Sequence, residues 1–78
     1  TDNLLFLRYV DRPGVVGAVG NALGKAGINI AGMQVARASA GGEALMAITV
    51  DSPVADAIVS ALAKETGAEL VRSVTLVN

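Results

Sequence analysis

The chain has no cysteine, no histidine and no tryptophan, and its only aromatics are one phenylalanine and one tyrosine, Phe6 and Tyr9. Each absence removes a class of chemistry. Without cysteine there are no disulfides, which fits a reducing compartment such as the cytoplasm. Zinc and iron–sulfur centres need histidine or cysteine sets, so neither is expected here. Without histidine nothing titrates near neutrality at an ordinary pKa. Nucleophile–base pairs would have to rest on lysine, and Lys25 and Lys64 both fall on helical faces read as solvated. Catalysis within this chain is therefore not expected, nor is a cofactor or metal of its own. Charge is sparse as well: the net charge is −1, and no basic stripe would hold a phosphate backbone. No apolar run approaches the ~18 residues of a membrane span, and no signal peptide is visible.

What is present is apolar surface. Hydrophobic residues make up 53% of 78 residues, high for so short a chain. A domain of this size buries only roughly 60% of its unfolded surface. A single domain spanning residues 1–78 is expected, with some apolar surface covered by a second copy or by the rest of a longer chain. The opening "TDNLLFL" lacks methionine and reads as the start of an excised piece.

The pattern along the chain is strand, helix, strand, strand, helix, strand. Leu4 to Val10 is a short apolar strand. In "YVDRPGVVG", Pro13 sets the first helical turn and pushes Arg12 out of the α region, leaving Asp11 just outside the helix. The helix runs to about Ala26 and stops at Gly27, with Val15, Val19, Ala22, Leu23 and Ala26 as its core stripe. Gly17, Gly20 and Gly24 share the opposite face, either tolerated by packing or allowing another surface to approach closely. Ile28 to about Ala38 is the second strand, expected beside the first. "ASAGGEA" is a hairpin loop, and Glu43 to Val50 is the third strand, with Ala44, Met46, Ile48 and Val50 on one face. Ser52 and Pro53 are read as N-cap and first turn of a second helix, whose buried stripe is Val54, Ala55, Ile58, Ala61 and Leu62 and which Gly67 ends. The last strand, Glu69 to Val77, is read with Leu70, Val74 and Leu76 inward, Val71, Ser73 and Thr75 outward, and Arg72 near an edge.

Two β-α-β units in this order give an α+β, ferredoxin-like βαββαβ sandwich: a four-stranded antiparallel sheet with both helices on one face. Leu4, Leu5, Phe6 and Leu7 are all apolar, so the helix-free face is expected to be covered by something outside the chain. RNA-binding sheets need stacking aromatics on one face. Phe6 and Tyr9 fall on different faces.

What remains is recognition of something small. A helix N-terminus offers free backbone N–H groups and partial positive charge, a seat for a carboxylate. Gly14 leaves that seat open, and Asp11 beside it can pair with an ammonium. Together they match the head of an α-amino acid. The plainer alternative is that Asp11 caps the helix and Arg12 is solvated. In "GINIAGM", Asn29 is a polar amide among apolar neighbours. Either it satisfies a loop backbone or it reaches the Asp11 corner of a second copy, where its amide can hold an amine or a carboxylate.

The stretch "RYVDRPGVVGAVGNALGKAGINIAGMQVARASAGGEALMAITVDS" resembles an ACT domain, the small regulatory module of amino-acid metabolism. The signals are the Asp-Arg-Pro-Gly-Val turn, Gly-Ile-Asn-Ile after the first helix, and the "GGEALMAITVD" strand. Within that family the chain is most similar to the C-terminal domains of D-3-phosphoglycerate dehydrogenases, NAD-dependent oxidoreductases that open serine synthesis. The resemblance implies a homodimer joined edge to edge through its sheets, with L-serine at the seam as feedback inhibitor. It implies ligand contacts from Tyr9, Asp11, Arg12, Pro13, Gly14 and Val15 on one side and from Asn29 and Ile30 on the other. Pairing is expected to bury the glycine side of the first helix or the apolar edge of the first strand. Two other readings stay open: the ACT domain of an L-serine dehydratase, and a purely structural dimerisation module.

Overall fold

The computed structural model describes residues 2–38 and 41–77. The elements follow the expected order: β1 (Asp2–Val10), α1 (Val15–Lys25), β2 (Ile30–Arg37), β3 (Glu43–Val50), α2 (Asp56–Thr66) and β4 (Leu70–Leu76). The four strands form one antiparallel sheet in the order β2-β3-β1-β4. This is the ferredoxin-like sandwich that the βαββαβ pattern predicts. The middle of the expected hairpin loop, residues 39–40, lies outside the described residues.

The core is built by alternation. Leu5, Leu7 and Tyr9 of β1 face Ile48, Met46 and Ala44 of β3, pair by pair, and all six are buried. Val15, Val19 and Leu23 of α1 and Leu62 of α2 close over that same face. Both helices therefore lie on one side of the sheet. Ala22 packs at the margin, while Ala26, expected in the stripe, is exposed. Gly27 ends α1 with a φ of 74°, the left-handed conformation glycine adopts without penalty.

Three expectations are corrected by the sheet. β2 pairs with β3 and not with β1, so β1 is central and has no free edge to bury. The open edges belong to β2 and β4. In β4 the facing is the reverse of the expected one. Val71 pairs with Leu7 and Ser73 with Leu5, so these residues point to the helices, while Leu70, Arg72, Val74 and Leu76 share the helix-free face with Leu4, Phe6 and Arg8. Both sets contain apolar residues, and pairing with β1 decides between them; a one-residue slip exchanges the faces completely. Finally, α2 starts after Ala55, not at Ser52–Pro53. Val54 is buried in an extended lead-in, and the Ala55 carbonyl accepts the first N–H bonds, from Ile58 and Val59. Ala55 and Ala61, expected inside, are exposed, and Val59 packs beside Ile58 in their place.

β2 itself begins at Ile30, leaving Ile28 buried and Asn29 exposed in the connection from α1. A bulge between Ile30 and Gly32 shifts the register against β3. Bulges of this kind bend an edge strand and re-aim its side chains.

Candidate functional site

The corner after β1 is held from three sides. The Asp11 backbone N–H donates to the Gly42 carbonyl at 2.7 Å, tying the corner to the β2–β3 hairpin. The Asp11 carboxylate accepts from Arg37, at the end of β2, at 3.1 Å. Arg12 turns the other way and donates from Nη2 to the carbonyl of Thr66, the last residue of α2, at 2.8 Å. Thr66 is buried but satisfied: its hydroxyl donates to the Leu62 carbonyl and accepts from the Ala68 N–H.

Gly14 is the N-cap of α1, with φ 91° and nothing within 4 Å of where a Cβ would stand. No side chain caps this helix, and no acidic residue lies in its first turn. The capping alternative for Asp11 is thus not what the structure shows. The start of α1 lies beside an acid, with Pro13 and Gly14 exposed and Val15 anchored in the core. Tyr9 lies beneath, almost fully buried. Burial raises its pKa first; the Asp11 charge raises it further and Arg37 lowers it. The phenol therefore senses both members of the ion pair above it.

Asn29 stands at the other end of α1. The helix has 11 residues, so at ~1.5 Å per residue the two sites are roughly 16 Å apart. Asn29 donates from Nδ2 to Asp51 at 2.9 Å, and its carbonyl accepts from the Asp51 N–H. Its side chain satisfies a neighbouring acid and not a loop backbone. Ile30 follows, half-buried.

Within one chain, then, the residues read as ligand-binding form two groups: Tyr9, Asp11, Pro13, Gly14 and Val15 at one end, Asn29 and Ile30 at the other. Arg12 belongs structurally to the first group but is engaged with α2. A groove of about 550 Å³ lies elsewhere, on the helix-free face among Phe6, Gln34, Ala36, Leu45 and Ala47. It presents no charged side chain to a zwitterion.

The family model of the ACT domain matches residues 3–67, most of the chain and both ends of the site. The chain belongs to the ACT domain family. It is similar to D-3-phosphoglycerate dehydrogenase of Synechocystis sp., 41% identical over 64 residues, and to that of Bacillus subtilis, 45% identical over 62 residues. These matches cover 82% and 80% of this chain but 12% of either relative, so the chain spans about an eighth of their length. Among solved structures, the ligand-free regulatory subunit of aspartate kinase from Thermus thermophilus superposes with a TM-score of 0.68 at 25% identity, over 91% of this chain and 50% of that one. A formyltetrahydrofolate deformylase from Pseudomonas putida gives 0.80 at 11% identity, over 97% and 29%, a likeness of fold alone.

Two residues of this ACT domain were not among the expected contacts. Arg37 is the counter-ion of Asp11, and Asp51 is the partner of Asn29. Asp51 follows the third strand directly, and only the β2–β3 pairing brings it to Asn29. Arg37 gains its role from the hairpin, whose length sets which β2 residue arrives beside the β1 corner.

Proposed function

We propose that this ACT domain is the amino-acid-sensing regulatory region of a D-3-phosphoglycerate dehydrogenase, and that it binds L-serine at a seam shared by two copies. The carrying observation is the separation of Asp11 and Gly14 from Asn29 by the length of α1, together with a free edge on β2. One amino acid cannot touch both groups of one chain. If two β2 edges pair antiparallel about a two-fold axis, the start of one strand meets the end of the other, and Asn29 of one copy comes to the Asp11 corner of the next. The site is then isologous and occurs twice per dimer.

The chemistry follows from the corner. The α1 N-terminus receives the ligand carboxylate, and Gly14 leaves room for it. Asp11 receives the ammonium. The Asn29 amide bonds the remaining polar group from across the seam. Half of the site disappears when the seam opens, so the ligand favours the paired state by its differential affinity. NAD and the catalytic machinery belong to the rest of the dehydrogenase, a cytoplasmic enzyme of serine synthesis, which this domain throttles when serine accumulates.

Calorimetric titration of L-serine into the chain tests the reading. Saturable heat with one ligand per chain, abolished in Asp11→Ala and in Asn29→Ala, is expected. No heat at millimolar L-serine would leave a purely structural dimerisation module.

A further inference from the structure

Both candidate ligand groups already have partners in the single chain. Asp11 holds Arg37, and Asn29 holds Asp51. The two partners stand at opposite ends of β2, whose outer edge has no strand partner among the described residues. Eight residues of strand separate them by roughly 26 Å at ~3.3 Å per residue. That is well beyond the ~8–10 Å over which exposed charges interact at ordinary salt. Within one chain they are electrostatically independent.

Antiparallel pairing of two β2 edges removes that independence. Arg37 of one copy arrives at the strand start of the other, with Asp51 of the partner subunit one strand further in. The reach required is one Arg37 already makes. Within its own chain it crosses from β2 over β3 to Asp11 at the end of β1. Crossing the partner subunit's β2 to Asp51 of the partner subunit spans the same two strand spacings. The Asp11–Arg37 pair is also unequal: the Asp11 side chain is 20% exposed and the Arg37 side chain 58%. The acid is held and the guanidinium is the member free to move.

We infer that binding of an amino acid at the seam drives an exchange of partners, in which Arg37 leaves Asp11 for Asp51 of the partner subunit. This inference rests on the shared-site reading above. In the open state Asp11 pairs with Arg37, and among the described residues the side chain that meets Asp51 is the neutral amide of Asn29. In the closed state the ligand ammonium takes Asp11, the released Asn29 amide takes the ligand, and Arg37 meets Asp51 across the seam. Each ligand bound thus adds an ion pair between subunits that neither copy can make alone. The exchange gives the ligand a contact to the paired state beyond its own bonds.

Sedimentation equilibrium of the 78-residue chain, with and without saturating L-serine, tests this on Arg37→Gln, Asp51→Asn and the double variant. With L-serine, each single variant is expected to weaken the dimer about fivefold, as two exposed ion pairs would. The double variant should lose no more than either single one, because groups that share one interaction do not add. Without L-serine that coupling should vanish. Multiplicative losses with L-serine, or equal coupling without it, overturn the exchange. A chain that dimerises and binds L-serine while showing either result keeps the shared site and loses only the exchange. A chain that neither dimerises nor binds loses both. Should Asp51→Asn not fold, Arg37→Lys and Arg37→Gln carry the test. Lysine should retain the salt sensitivity that L-serine confers on the dimer and glutamine should lose it; equal salt sensitivity overturns the exchange.

Discussion

The Arg12 guanidinium donates to the carbonyl of Thr66 at 2.8 Å, joining the turn before α1 to the last residue of α2. That carbonyl is one of those a helix leaves without an internal partner, and it lies at the negative end of the helix dipole. Arg12→Ala is expected to lower stability by about 1 kcal/mol, read as a fall in the urea midpoint without a change of slope. Arg12→Lys should recover part of the loss, since a point charge satisfies the dipole but fits the carbonyl less well.

Gly14 is the second structural element of the corner. Its φ of 91° disfavours any residue with a Cβ, although nothing stands where that Cβ would go. Gly14→Ala is therefore expected to cost about 1–2 kcal/mol through the backbone alone. Gly14→Asn should cost less, because asparagine tolerates this conformation better. Thermal melts of the two variants check the order.

The pH dependence follows from Tyr9. Its folded-state pKa lies above the ordinary tyrosine value, chiefly because burial disfavours the phenolate. The neutral phenol is thus the folded form. Its contribution is complete below the unfolded pKa of ~10 and is lost as pH rises from there through the higher folded value. Melting temperature between pH 8 and 11.5 should fall at the alkaline end for the wild type. Tyr9→Phe should flatten that fall.

The facing of β4 is open to direct test. Val71→Ser, on the helix side, is expected to cost about 1–2 kcal/mol, while Leu70→Ser, on the helix-free face, should stay within about 0.5 kcal/mol. Denaturant midpoints of the two variants compare the faces. A larger loss in Leu70→Ser than in Val71→Ser would restore the opposite facing.

How far the sequence is legible depends on how many readings each segment permits. In β3, Ala44, Met46, Ile48 and Val50 alternate with Glu43 and Thr49, and the strand appears with the expected bounds and face. In α1, Val15, Val19 and Leu23 and the Gly27 stop are equally plain, while Ala26, read into the stripe, falls past the helix end and is exposed. β4 offers apolar residues at both parities, so its facing is a property of its pairing with β1 and not of its own pattern. Pro53 opens helices often, but here Val54 is drawn into the core first and delays α2. At the corner, Asp11, Pro13 and Gly14 declare themselves by local backbone chemistry. Arg37 and Asp51 do not, because each becomes a partner only through strand pairing across the sheet.

The shared site is tested most directly by mixing two broken chains. Asp11→Ala and Asn29→Ala should each fail to bind L-serine as pure homodimers. Mixed in equal amounts, they form some dimers in which one seam site keeps Asp11 from one copy and Asn29 from the other. Random pairing restores about a quarter of the wild-type sites. Calorimetry of the mixture should recover that fraction at wild-type affinity. A mixture as silent as its components, or a single variant that binds as well as the wild type, would contradict a site built by two chains.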